Sequence, residues 1–240
     1  MALCLQKLIW RWRTLALTAT AAGALAGCAS DTGGGGDALR IGHLLFQTIS
    51  GQGDMITRET AAQIPYASIG VQLGSSSQGL AVLGKGVGDD RYWYSGTRIL
   101  FVTREGRLLE TVGLPYDLTH VDIRGPNGDW VAPGTAEHFS MVFDFQDLSV
   151  FNAVAECTDT DQGPETITIL NTNIQTHHHV EDCNLDQLDW SFENDFWIDP
   201  KTGYVWQSVQ HPHPRSSDLT ITVFRPESTP APATTQTSAQ

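Results

Sequence analysis

Positive charge is scarce in this chain: 14 Lys and Arg stand against 27 Asp and Glu, a net charge of −13 over 240 residues. Nucleic acid is therefore excluded as a partner, since a phosphate backbone needs a basic surface to replace its counterions. Long apolar runs are missing too. The longest, Leu15 to Leu25, is short and rich in small residues, so it cannot cross a membrane comfortably. Nucleophile signatures fail on a single residue: in Gly74-Ser75-Ser76-Ser77-Gln78, glutamine stands where the Gly-x-Ser-x-Gly elbow requires glycine. The glycines of Gly84-Lys85-Gly86-Val87-Gly88 lack the Gly-Lys-Ser/Thr ending of a phosphate loop and lie between strands, so they read as a hairpin loop.

What the front of the chain has is an address. Lys7, Arg11 and Arg13 precede the apolar run, and Leu25-Ala26-Gly27-Cys28 looks like the lipobox of bacterial lipoproteins. Residues 1–27 are thus expected to be a signal peptide, and Cys28 to carry the lipid. Acyl chains contribute about 0.8 kcal/mol per buried methylene, so a triacylated Cys28 would anchor the chain without spanning the bilayer. Ala29 follows, not the aspartate that favours inner-membrane retention, and this points to the outer membrane. Residues 28–38, with Gly33-Gly34-Gly35-Gly36, read as a flexible tether.

Cysteine is sparse, at four residues. Cys4 leaves with the leader and Cys28 is spoken for, so Cys157 and Cys183 form an even pair in an oxidising compartment. A disulfide is the default there, worth about 3–4 kcal/mol by loop-closure entropy; two buried thiols are the alternative.

Residues 39–226 read as a single mainly-β domain. Ile41, Leu44, Leu45 and Ile49 have helical spacing, and a second short helix is expected from Thr57 to Gln63. Beyond Pro65 the pattern turns to strands. Tyr92-Trp93-Tyr94, Thr97 to Thr103 and Leu108 to Val112 make a meander, with Arg104-Glu105-Gly106-Arg107 as a tight reversal. After Pro115 irregular chain is expected, including a loop at Arg124 to Gly128. Further strands are read at His138–Phe145, Leu148–Glu156, Thr166–Val180, Asp189–Ile198, Tyr204–His211 and Leu219–Phe224, with a hairpin turn at Asp199 to Gly203. Such spacing predicts an antiparallel meander closing into a barrel or sandwich-like sheet, with one or two short N-terminal helices. Of five tryptophans after the leader, at least three are expected in the core. Residues 227–240, rich in Pro, Thr and Ala, form a tail too polar to order itself.

Candidate chemistry is thin. On a strand His177, His179 and Glu181 share a face, a metal-ligand spacing, but no complementary pair of ligands is evident and a solvated strand face is the better reading. Asp159-Thr160-Asp161-Gln162-Gly163 begins like a calcium loop, yet its third ligand is missing, and a turn between strands explains it. His211-Pro212-His213-Pro214 reads as a strand exit. No catalytic residue, no metal and no cofactor is assigned.

The order of several short motifs carries more. Thr57-Arg58-Glu59 precedes Ile64-Pro65-Tyr66-Ala67-Ser68-Ile69; then come Leu80 to Gly84, Arg104 to Arg107 leading to Thr111-Val112-Gly113-Leu114-Pro115, and Phe196 to Ser208. In these segments, together with the lipobox, the chain resembles the YjbF/GfcB-like lipoproteins, the group 4 capsule polysaccharide lipoprotein family. The resemblance implies a mainly antiparallel β, outer-membrane lipoprotein encoded with exopolysaccharide or capsule export functions. It brings no established catalytic residues, and it implies work beside an outer-membrane β-barrel and a periplasmic partner. The Cys157–Cys183 pair, the three histidines and the tail depart from that pattern. The leading expectation is a non-enzymatic accessory factor that faces the periplasm and touches barrel partner or glycan. The alternatives are a carrier of lipid or lipoprotein with an apolar cavity, or a glycan hydrolase with two converging carboxylates.

Overall fold

The computed structural model describes residues 58–227. The signal peptide, Cys28, the tether, the expected helix over 39–50, the cap Thr57 and nearly all of the tail lie outside them. One short helix, α1 (Arg58–Ala62), is followed by twelve strands. They are β1 (Ser68–Leu73), β2 (Gly79–Val87), β3 (Asp90–Ser95), β4 (Leu100–Arg104), β5 (Arg107–Val112) and β6 (His120–Arg124). In the second half come β7 (His138–Phe145), β8 (Val150–Ile169), β9 (Thr172–Leu185), β10 (Trp190–Ile198), β11 (Val205–Gln210) and β12 (Leu219–Arg225). All pairings are antiparallel, in the order β5-β4-β3-β2-β1-β12-β11-β10-β9-β8-β7-β6.

That order forces curvature. The chain meanders outward from β1 to one edge at β5, then reappears at the other edge as β6. Laid flat, twelve strands about 4.8 Å apart would separate the two edges by roughly 50 Å. Residues 113–119 join them and reach at most about 28 Å. The sheet must curl until its ends approach, and it does: Thr111 on β5 donates its backbone N–H to Leu118 O at 2.9 Å, and Thr111 Oγ1 accepts from Leu118 N–H at 2.9 Å. Asp117 holds the crossing by accepting from Thr111 Oγ1 and from the amides of Gly113 and Leu114, at 2.9–3.0 Å. The result is a nearly closed barrel-like sheet.

One edge would still be open along β5. There the side-chain amide of Gln210 takes the place of a neighbouring strand: Leu108 N–H donates to its Oε1 and its Nε2 donates to Gly106 O, both at 2.9 Å.

The interior is filled in its middle and at one end. Arg107 and Glu181 are 1% and 0% exposed at their side chains and face each other from β5 and β9. Two bonds of 2.7 and 2.5 Å join them, and Arg107 Nε also donates to Val131 O. The guanidinium lies over Phe139 and Phe196. Beyond it Phe143, Phe145, Trp190 and Phe192 stack and interlock, with the ring of His213 edge-on to Phe145 at 4.9 Å. His213 is fully buried although its neighbours form an exit loop.

Four readings of the sequence change. Gly84 to Val87 is not a loop: β2 runs through it with a bulge between Leu83 and Lys85, and only Gly88–Asp89 turn. A Cβ on Gly84 would meet the Tyr94 ring at 2.5 Å, so this glycine serves close packing in a strand, not a reversal. Asp159 to Gly163 is not a turn either. It lies inside the 20-residue β8 and bulges between Asp161 and Gly163. The reversal sits instead at Leu170–Asn171, whose φ values of +46° and +64° make the hairpin inside what reads as one long strand over Thr166–Val180. Finally, β6 occupies chain expected to be irregular, because Val121 and Ile123 give it only two inward apolar positions.

Candidate functional site

The end of the barrel opposite the aromatic stack is open, as a cleft of about 610 Å³. Its walls are the β4–β5 turn at Glu105-Gly106, the loop Ala132 to Thr135, and the β10–β11 turn ending in Tyr204. Ile69, Trp93, Ile221, Val223 and Ser208 line its floor. Arg107, next in chain to Gly106, is buried against Glu181 and is not part of the cleft wall.

Local sequence explains the walls. Glu105 and Gly106 adopt φ of +48° and +87°, the pair of left-handed residues that a two-residue hairpin needs. Gly106 has a second duty: a Cβ there would meet the Val205 side chain at 2.5 Å, so its absence lets the turn pack against β11. In the opposite wall Asp199 accepts from the amides of Lys201 and Thr202 at 2.8 and 3.1 Å, which forms the turn that carries Tyr204. Those same amides hold the Asp199 carboxyl below its ordinary range.

Aromatic surface and polar groups alternate around the opening. Trp93 is buried and its Nε1 donates to Thr103 Oγ1 at 2.8 Å. Tyr204 meets Trp206 edge-to-face, with centroids 5.0 Å apart and planes at 70°. Tyr204 is 37% exposed and Trp206 half-buried. Burial pushes the Tyr204 hydroxyl up to about 12, and the charge of Glu227 adds to the rise. Trp206 Nε1 has no hydrogen-bond partner among the described residues. At the mouth Arg91 Nε pairs with Glu227 Oε2 at 2.5 Å, and Glu105 Oε2 accepts from Trp130 Nε1 at 2.6 Å. Ser208 Oγ is held by Gln210 Nε2 at 2.8 Å. Among the described lining residues there is neither histidine nor cysteine; Thr103 and Ser208 are held by Trp93 and Gln210, and Thr135 Oγ1 donates to Ala132 O at 2.7 Å. The arrangement is suited to holding a ligand.

A second, shallower groove of about 480 Å³ lies between α1, the β8–β9 turn and β12, and shares Trp206 and Val223 with the cleft.

The residues that sequence alone singles out lie elsewhere. His177, His179 and Glu181 do share a face of β9, and each is taken. His177 Nδ1 meets Asp161 Oδ2 at 3.0 Å, His179 Nδ1 meets Asp159 Oδ1 at 2.8 Å, and Glu181 meets Arg107. His178, on the other face, sits between Asp195 at 2.7 Å and Glu165 at 3.3 Å, stacked on Trp197 at 4.7 Å. Cys157 and Cys183 face one another across β8 and β9, joined as a disulfide with Cα atoms 4.2 Å apart. Of the five described tryptophans only Trp93 is buried, fewer than the three expected in the core; Trp130, Trp190 and Trp206 are half-buried against its margin, and Trp197 is half-buried as well. Two residues of the cleft had no signal of their own: Tyr204 and Trp206 read as ordinary strand aromatics, and their position at an open barrel end is a property of the closed sheet. Among the described residues no helix is long and apolar enough to cross a membrane.

Comparison with known proteins agrees with this architecture. A crystal structure of the hypothetical lipoprotein YmcC from Escherichia coli K12 superposes with a TM-score of 0.63, covering 83% of this chain and all of that one at 22% identity, which speaks to the fold. The uncharacterized lipoprotein GfcB of Escherichia coli K12 is 27% identical over 151 residues, 61% of this chain and 70% of that protein. None of these descriptions names an enzymatic activity. Residues 36–224 match the family described as "Group 4 capsule polysaccharide lipoprotein gfcB, YjbF", so the chain belongs to the YjbF family of capsule polysaccharide lipoproteins.

Proposed function

We propose that this protein is a lipid-anchored, non-enzymatic accessory factor for exopolysaccharide or capsule export. It is held at the outer membrane through Cys28, faces the periplasm, and works beside an outer-membrane β-barrel and periplasmic export partners. The observation that carries this reading is the family match over residues 36–224, together with a leader that ends in Leu25-Ala26-Gly27-Cys28. The cleft supports a binding role over a hydrolytic one. Of its three acids, Glu105 is held by Trp130 and Glu227 by Arg91, which leaves Asp89 alone, whereas glycoside cleavage needs two carboxyls free to act on one bond. The lipid-carrier alternative loses ground because Arg107 and the aromatic stack fill the interior that an acyl chain would need.

Deleting the gene in the native host and measuring surface polysaccharide tests the reading. The deletion is expected to lower it, the intact gene to restore it, and a Cys28→Ala gene to restore it poorly. Unchanged surface polysaccharide in the deletion strain would overturn the proposal.

A further inference from the structure

We propose that the cleft at the open end of the barrel binds an uncharged stretch of polysaccharide, with sugar rings seated against Tyr204 and Trp206. The inference rests on the export role proposed above and adds to it the ligand class and the residues that hold it.

Two observations converge. The cleft's volume, about 610 Å³, falls within the range of roughly 300–1,000 Å³ typical of sites that enclose a small ligand. Its surface mixes aromatic plates with polar groups. A sugar ring has an apolar C–H face and a rim of hydroxyls, so it is matched by aromatic rings beside donors and acceptors. Here Tyr204 and Trp206 supply the rings, while Thr202, Gln207 and Thr135 stand around them.

Charge selects among glycans. Asp89, Glu105 and Glu227 line the cleft against a single base, Arg91, in a chain of net charge −13. Arg91 is already committed to Glu227. A polymer of uronic acids would enter a field of its own sign, so the site favours neutral sugars. Other occupants fit less well. An acyl chain needs apolar walls throughout, and Asp89, Arg91, Glu105 and Glu227 line this cleft. A peptide strand would need a free sheet edge, and the nearest, along β5, is capped by Gln210.

The test uses the lipidated full chain in detergent and polysaccharide from the surface of its own host, partly hydrolysed and separated by anion exchange into neutral and acidic oligosaccharides. Calorimetry and tryptophan emission report binding. Neutral oligosaccharides are expected to bind and the acidic fraction to bind much more weakly. Trp206→Ala, and independently the more conservative surface change Tyr204→Ala, should each weaken binding by about tenfold or more. Trp197→Ala, outside the cleft, should leave it unchanged. Absence of binding by the neutral fraction, preference for the acidic one, or full binding by both cleft variants would overturn the inference. The export role is separable from it. If the deletion strain loses surface polysaccharide but a Trp206→Ala, Tyr204→Ala chain restores it and binds no sugar, the cleft inference falls and the accessory role stands.

Discussion

Arg107 and Glu181 lie 74 residues apart in sequence and end up as the most deeply buried charges in the described chain. Burial pushes the Glu181 carboxyl up, and the facing guanidinium pulls it back. Removing one partner strands the other in a dry interior. Arg107→Met or Glu181→Gln is therefore expected to destabilise by about 3–5 kcal/mol in urea unfolding, whereas an apolar replacement of both should recover much of the loss. At the surface the histidine row makes a gentler prediction. Asp161 titrates below its ordinary 3.8, first because His177 bonds to it and then because the Gly163 amide does. A depressed carboxyl adds stability above its unfolded pKa, and that contribution is lost as pH falls below about 3.8 through the lower folded value. Carboxyl titration by NMR should show the low value, and His177→Ala should raise it. Alternation alone placed His177, His179 and Glu181 on one face. What they face was beyond it, because Asp159, Asp161 and Arg107 come from other strands.

Hairpins show how much of an element is local. Glycine after a charged residue marked the β4–β5 turn correctly, since left-handed φ is a property of two residues. Gly88 and Gly106 sit in comparable turns, at φ +58° and +87°, but a Cβ on Gly88 meets nothing within 4 Å while one on Gly106 strikes Val205. Gly88→Ala should cost about 1 kcal/mol, from backbone strain alone, and Gly106→Ala clearly more, read from the two unfolding midpoints. The reversal at Leu170–Asn171 gave no such signal. Leucine keeps a positive φ there because its side chain packs against Ala61, Ile64 and Leu80, a contact made across the fold. The β8–β9 ladder also carries Cys157–Cys183, both 4% exposed. Cys157→Ala with Cys183→Ala should lower stability by about 3 kcal/mol, and reducing agent should then have no further effect on the melting temperature.

At the scale of the molecule, a twelve-stranded sheet has two edges to hide. It brings one against the other through Asp117 and covers what remains with Gln210. Gln210→Ala should cost about 1–3 kcal/mol, because Leu108 N–H and Gly106 O lose their partners together. Hydrogen exchange at the Leu108 amide should quicken at the same time. If that amide stays protected in the variant, the side chain is not what closes the edge.

The chain itself determined where strands and most tight turns fall, and the ordered motifs that make it a member of its family. Side-chain alternation and turn chemistry act over a few residues and can be read there. Barrel against sandwich, the pairing of Arg107 with Glu181, and the opening beside Tyr204 and Trp206 were decided only when the sheet curled. Each depends on strands distant in sequence meeting in one register, and a local pattern holds no record of its far partner.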